Sequence, residues 1–158
     1  VGNSLKETME MVKKDAERMG IDLNNLNNSE NMPEPPELEQ IPFYRKVAQW
    51  QKFIEEIIKN ADASMGLWLA TESAANLMWY KNILLSKTYR QICNRWELDN
   101  GDEAAHIDYI YTKYVLSECL KIINKSLQEL SLLASGQKAE LILALSKLIK
   151  LEKEILTI

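Results

Sequence analysis

One long stretch, from Ser64 to Ser135, limits most strongly what this chain can fold into. Apolar residues recur along it at spacings of three and four, and the pattern breaks only at Asp99-Asn100-Gly101-Asp102. That spacing is typical of amphipathic α-helices, and the break reads as a tight reversal between two of them. The chain contains only 5 Gly and 4 Pro among 158 residues, which also favours long helices. The sequence therefore predicts an all-α fold built on a long antiparallel helical hairpin, with helices of roughly 50 Å.

Each helix of the predicted hairpin carries an apolar stripe that we expect to face the core. In the first helix, from about Ser64 to Leu98, the stripe has the heptad spacing of coiled-coil packing. A second stripe (Ala70, Ala74, Leu77, Leu84) runs beside it. In the second helix, Lys121 and Lys125 lie opposite the stripe and are expected to face water. The two main stripes are Trp68, Thr71, Ala75, Met78, Asn82, Leu85, Tyr89, Ile92 and Trp96, and then Tyr109, Thr112, Leu116, Leu120, Ile123, Leu127, Leu130 and Ala134.

Two shorter helices flank the hairpin. Pro42 suits the first turn of one helix, whose apolar stripe is Phe43, Val47, Trp50, Ile54 and Ile57. Residues 137–158 are apolar nearly all round, so that helix must be central or covered by a partner. Both are about half as long as the hairpin helices and can run back along one end of the hairpin. The sequence thus predicts that residues 42–158 complete a four-helix bundle.

The first forty residues differ from the rest. Ser4 and Glu7 form a capping box at the start of a predicted amphipathic helix in residues 1–20. A Pro- and Asn-rich linker, residues 21–41, follows it. Such a long linker either crosses the surface to place this helix elsewhere, or is mobile and lets the helix bind a partner.

The bundle geometry leaves one end of the hairpin uncovered and rich in aromatic residues. Tyr and Trp are typical anchors of protein interfaces. The N-terminal helix, a second copy or another helical protein could cover this end, and we expect self-association. The candidate interface residues are Tyr80, Tyr89, Trp96, Tyr109, Tyr111 and Tyr114.

No residue pattern predicts catalysis. Glu103 and His106 have the spacing of two metal ligands on one helical face, but a di-iron bundle needs two such elements and the chain has 1 His. Cys93 and Cys119 fall within apolar helical patterns, as expected of reduced core thiols. We therefore expect no enzyme activity, no catalytic residues, no metal site and no cofactor.

These observations favour a cytoplasmic, non-enzymatic scaffold, assembly or adaptor subunit that works through protein–protein interfaces. No apolar run is long enough to span a membrane, and no membrane partner is expected. The alternative is a nucleic-acid-associated subunit of a nucleoprotein or phage packaging complex, since basic residues lie among aromatic ones. The candidate nucleic-acid-binding residues are Lys81, Lys87, Arg90 and Arg95.

Overall fold

The computed structural model describes residues 41–63 and 67–158, together with Glu7, Glu10, Met11, Lys14 and Glu37. The chain divides into two units, with the boundary between Glu34 and Pro35, and the helices named here belong to the second unit. They are α1 (Pro42–Ala63), α2 (Glu72–Asp99), α3 (His106–Leu133) and α4 (Lys138–Thr157). Short 3₁₀ turns, Leu67–Ala70 and Glu103–Ala105, precede α2 and α3.

The predicted all-helical fold is confirmed for this part of the chain. Residues 41–63 and 67–158 contain no β-strand, and α1 to α4 pack against one another around a shared apolar core. Of the predicted N-terminal helix, Glu7, Glu10, Met11 and Lys14 are helical. The remainder of that helix and nearly all of the predicted linker lie outside the described residues.

The first hairpin helix begins later than the sequence predicts. Ser64, where the sequence predicts its start, lies outside the described residues, and α2 starts at Glu72. Thr71 has extended backbone geometry, and its side-chain oxygen accepts a hydrogen bond from the backbone N–H of Ala74 at 3.2 Å. Because such a bond satisfies a donor that the first helical turn leaves unpaired, Thr71 fixes the start of α2.

The predicted reversal between the hairpin helices has the expected residues in the expected roles. Gly101 has a φ of +88°, in the left-handed region that favours glycine. Asp102 accepts a hydrogen bond from the backbone N–H of Ala104 at 3.1 Å. It therefore caps the short 3₁₀ turn that leads into α3.

Side-chain contacts show that α2 and α3 run in opposite directions. Near the turn, Arg90 of α2 lies 2.7 Å from Asp108 of α3. At the far end, Ser73 near the start of α2 donates a hydrogen bond to Glu129 near the end of α3. Residues early in α2 thus contact residues late in α3, as in an antiparallel hairpin.

The α1 helix contacts both α2 and α4. The indole N–H of Trp50 donates to the backbone oxygen of Ala144 in α4 at 3.0 Å, although Trp50 is otherwise buried among apolar groups. On the other side, the Gln51 amide donates to Asn82 of α2 at 2.6 Å. These bonds fix α1 between its two neighbours.

The stripes predicted for α3 and α1 form most of the core. Every α3 position predicted from Thr112 to Ala134 is buried, while Tyr109 is only partly so. In α1 the predicted stripe is buried from Val47 to Ile57, and Phe43 packs against it. Lys121 and Lys125 face solvent as predicted.

The main stripe predicted for α2 is not its most buried face. Met78 and Leu85 of that stripe pack against the core, but Ala75, Asn82 and Tyr89 are exposed. Of the second stripe, Ala74, Leu77 and Leu84 are fully buried, whereas Ala70, which precedes α2, is exposed. The buried face continues through polar residues that apolar counting cannot place in a core. The polar or charged residues buried along α2 are Ser73, Lys81, Thr88, Gln91 and Asn94.

These polar side chains can be buried because they find partners. Thr88 donates its hydroxyl proton to the backbone oxygen of Leu84 at 2.7 Å. Gln91 donates to the backbone oxygen of Tyr109 in α3 at 3.0 Å and accepts a hydrogen bond from Asn94 at 3.3 Å. A buried polar group with a hydrogen-bond partner costs little, so this face of α2 packs inward.

The flanking helices also reach further toward the turn than their predicted lengths suggested. Tyr44, near the start of α1, contacts Tyr89 edge-to-face with ring centres 6.2 Å apart. The Tyr109 hydroxyl donates to a main-chain oxygen of Ile158, at the end of α4, at 2.6 Å. The uncovered part of the hairpin is therefore shorter than predicted and does not extend back to Tyr80.

Candidate interaction surface

The largest exposed apolar side chains near the start of α3 lie on one helical face. Ile107, Ile110, Tyr111 and Tyr114 are 80%, 56%, 60% and 64% exposed. Their spacings of three and four place them together on successive turns. At about 100° per residue, this face lies roughly 160° from the buried stripe of the same helix. We call these four residues the α3 apolar patch.

The α3 apolar patch includes only two of the six predicted interface residues. Tyr80 packs against the core, and Trp96 is partly buried. Tyr109 is held by its bond to Ile158, and Tyr89 by its contact with Tyr44. Only Tyr111 and Tyr114 present most of their surface to solvent.

Tyr89 has a second neighbour that affects its chemistry. A hydrogen bond with the Cys93 thiol raises the pKa of the Tyr89 hydroxyl above its usual 10.0. Cys93 is partly buried, whereas Cys119 is buried in the core, and burial raises the pKa of the Cys119 thiol to about 11. Both thiols are free, and the raised pKa makes the Cys119 thiol a poor nucleophile at neutral pH.

Sequence reasoning missed Ile107 and Ile110. The signal was present in the spacing of Ile107, Ile110, Tyr111 and Tyr114, which defines an apolar face on its own. That face lies opposite the longer stripe, which the sequence predicts to face the core. Because Lys121 and Lys125 lie on the same side farther along the helix, the sequence predicts that this whole side faces water. Tyr111 and Tyr114 were identified as interface residues because of their position near the hairpin end rather than their helical face.

The four predicted nucleic-acid-binding cations do not form one free basic surface. The Lys81 side chain is 9% exposed and bonds Glu55 at 3.2 Å. Arg90 pairs with Asp108, and Arg95 lies 3.2 Å from Asp99. Three of the four cations therefore already have a carboxylate partner. The fourth, Lys87, is partly buried.

A groove of about 550 Å³ runs beside the turn, between α2 and the segment that leads into α3. Its charges are mixed, since Lys87, Arg90, Glu97, Asp102 and Asp108 all line it. The Arg90 guanidinium holds the pKa of the Asp108 carboxyl below its usual range. With three acidic side chains against two basic ones, the groove offers no strong attraction to a polyanion.

The Glu103 and His106 element has no third metal-ligating side chain close enough to complete a metal site among the described residues. Glu103 lies in the 3₁₀ turn, and His106 is exposed at the first position of α3. Across the described residues, no three His, Cys, Asp or Glu side chains lie close enough together to hold a metal ion. Within the same residues, no helix combines the length and apolar content that crossing a bilayer requires.

A second group of exposed apolar residues lies at the opposite end of the hairpin. Leu132 and Leu133, at the end of α3, are 79% and 63% exposed. Leu132 falls on the same side of α3 as the α3 apolar patch. The outer face of this helix is therefore apolar at both ends.

The chain matches no known protein family, no curated protein and no solved structure.

Proposed function

We propose that this protein is a non-enzymatic scaffold, assembly or adaptor subunit, and that it associates with itself through the α3 apolar patch. In this proposal the packed helices form an up-and-down four-helix bundle built on the α2–α3 hairpin. The observation that supports it is the exposure of four large apolar side chains on one face of a helix whose opposite face is buried except at the partly buried Tyr109. Contiguous exposed apolar surface of this kind usually marks an interaction site.

The size of the patch fits a modest interface. A large aromatic side chain buries about 150–250 Å², so four side chains exposed to this degree offer roughly 500 Å² on each copy. A dimer in which each copy covers the patch of the other buries at least about 1,000 Å² in total, which is near the lower limit for a specific interface. We therefore expect a dimer that dissociates on dilution rather than a permanent one.

Sedimentation equilibrium over a wide range of protein concentration tests this function. We expect the native chain to form dimers reversibly, and Tyr111→Ser together with Tyr114→Ser to shift it to monomer. Trp79→Ser is the matched control, because Trp79 is a large aromatic residue of α2 that is 68% exposed and lies off the patch. A native chain that stays monomeric at the highest concentrations would contradict the proposal.

The nucleic-acid alternative has less support, because Lys81, Arg90 and Arg95 are each paired with a carboxylate. Binding of labelled single-stranded nucleic acid that weakens with salt and is lost in Lys87→Ala/Arg90→Ala would favour it instead.

A further inference from the structure

The outer face of α3 follows a heptad spacing along almost the whole helix. Starting at Ile107, positions separated alternately by four and three residues continue to Leu132, and all lie away from the buried stripe. Apolar residues occupy both ends of this series and charged residues the middle. The eight positions are Ile107, Tyr111, Tyr114, Glu118, Lys121, Lys125, Gln128 and Leu132.

We propose that this face binds the same face of a second copy, with the two α3 helices antiparallel and a two-fold axis at the level of Cys119 and Leu120. The inference rests on the proposed function and specifies its partner and register. In this register Ile107 faces the partner's Leu132, and Glu118 faces the partner's Lys121. Because a two-fold interface repeats every contact, each of these pairs occurs twice.

The central charges are complementary in this arrangement. Glu118 and Lys121 already lie 3.2 Å apart within one chain, and their side chains are 43% and 69% exposed. The two-fold axis brings two such pairs together as a network of four alternating charges. Networks of this kind stabilise more than isolated surface pairs do, and they select a register.

The neighbouring positions are compatible with the same register. Tyr114 faces the partner's Lys125, whose aliphatic stem can pack against the ring while its ammonium pairs with Glu129 of its own chain. Beside the central charges, the partly buried Val115 lies opposite the partner's Ile122. These contacts extend apolar cover from the ends of the interface toward its centre.

One pair of like charges comes close at the edge of the interface. Asp108 lies opposite the partner's Glu129, but each carboxylate has a cation within its own chain. Arg90 is 2.7 Å from Asp108, and Lys125 is 4.0 Å from Glu129. The two internal pairs reduce the repulsion that the register would otherwise carry.

The main alternative register moves the two-fold axis by one heptad toward the start of α3. It stacks Tyr111 on the partner's Tyr114 but sets Ile107 against the partner's Glu118. That arrangement desolvates a carboxylate against an apolar side chain and leaves Leu132 exposed. The full-length register avoids both costs, and only in that register do Glu118 and Lys121 face each other across the axis.

Charge reversal at these two positions tests the register. Glu118→Lys alone places four lysines around the axis, and Lys121→Glu alone places four glutamates there. We expect each variant alone to dimerise at least about tenfold more weakly than the native chain, and an equimolar mixture to recover native dimerisation. Glu56→Lys and Lys52→Glu, on exposed positions of α1, make the same charge changes away from this face and should leave dimerisation unchanged.

The outcomes separate this inference from the proposed function. A native chain without dimers overturns both. Dimers that neither charge reversal weakens, or that mixing does not restore, overturn the register and leave self-association through the patch intact. As a second measurement, Ile107→Cys mixed with Leu132→Cys should form disulfide-linked dimers on oxidation, whereas each variant alone should behave like the native chain. Absence of that cross-link in a dimeric mixture also overturns the register.

Discussion

Replacement of Thr112 by valine should stabilise the fold. Thr112 is fully buried in α3, and its hydroxyl has no hydrogen-bond partner among the described residues. A buried polar group without a partner costs about 1–3 kcal/mol. Valine has nearly the same shape and the same branching at Cβ, so it removes that cost without opening a cavity or changing rotamer freedom in the helix. We expect the free energy of unfolding to rise by about 1–2 kcal/mol.

Thr88 provides the matched control. It is equally buried, in α2, but its hydroxyl donates to the backbone oxygen of Leu84 at 2.7 Å. In Thr88→Val the lost hydrogen bond, worth about 1 kcal/mol, offsets the gain from burying a methyl group, so stability should change little or fall. The two substitutions are chemically identical and differ only in whether the native hydroxyl has a partner.

Urea denaturation of both variants and the native chain, at one fixed low protein concentration, measures this difference. The concentration must be fixed because self-association would add to the apparent stability. If Thr112→Val is destabilising, or if the two variants agree within about 0.5 kcal/mol, the reasoning about the unpartnered hydroxyl is refuted.

Three further changes have expected outcomes. Leu84→Ala, at a fully buried position, should lower the free energy of unfolding by about 3 kcal/mol, whereas Leu132→Ala on the outer face should change it by less than about 0.5 kcal/mol. Urea titration measures both variants, and equal effects would contradict the assigned burial. Burial raises the pKa of the Cys119 thiol from 9.0 to about 11, so its contribution to stability is complete below pH 9 and falls as the pH rises toward 11. The native chain should therefore be more stable than Cys119→Ala below pH 9 and lose that extra stability as the pH rises toward 11. A difference in the free energy of unfolding that stays constant with pH would argue against the raised pKa. Arg90 lowers the pKa of Asp108 below 3.8, so that carboxylate stabilises the fold at neutral pH and ceases to do so as the pH falls through the lowered value. Asp108→Asn should therefore be slightly less stable than the native chain at neutral pH and equally stable in acid, as measured by unfolding curves. A loss of stability that persists at pH 2 would point to another cause.

Much of the fold could be predicted from local signals in the sequence. Pro42 begins α1, and Asp102 caps the turn before α3, because each residue acts on its own backbone or on that of its nearest neighbours. The buried stripe of α3 was also predictable, since seven of its eight predicted positions are buried and no competing stripe runs beside it. Signals that act within one helical turn do not depend on the rest of the molecule.

The buried face of α2 could not be predicted in the same way. Two stripes run side by side on this helix, and counting apolar residues favours the one that includes Leu85 and Ile92. The structure buries most of the other and continues that face through Thr88, Gln91 and Asn94. Their burial depends on acceptors such as the backbone oxygen of Tyr109 in another helix, which become apparent only once the helices are packed.

The same dependence on helix packing explains why the sequence predicts only part of the candidate surface. Tyr109 and Tyr111 are two residues apart and look equivalent in the sequence, but on a helix they point in nearly opposite directions. Tyr109 turns toward the end of α4 and bonds Ile158, whereas Tyr111 points to solvent. Aromatic content predicts an interface at this end of the hairpin, but only the packed structure separates the rings held within the chain from those that face outward.

The charged residues on the outer face of α3 explain why the sequence analysis did not predict the α3 apolar patch. They also explain why the proposed dimer would prefer one register. Lys121 and Lys125 made this face look solvated, and within one chain they are exposed. A face that was apolar throughout would associate in several registers and with many partners, because apolar contact has little directional preference. In the proposed dimer, Ile107 and Leu132 at the ends supply affinity, and the central charges of Glu118 and Lys121 penalise every register that leaves them unpaired. Neutralising both charges, as in Glu118→Gln/Lys121→Gln, should therefore preserve dimers but abolish the selective pairing that the charge-reversed variants show when mixed.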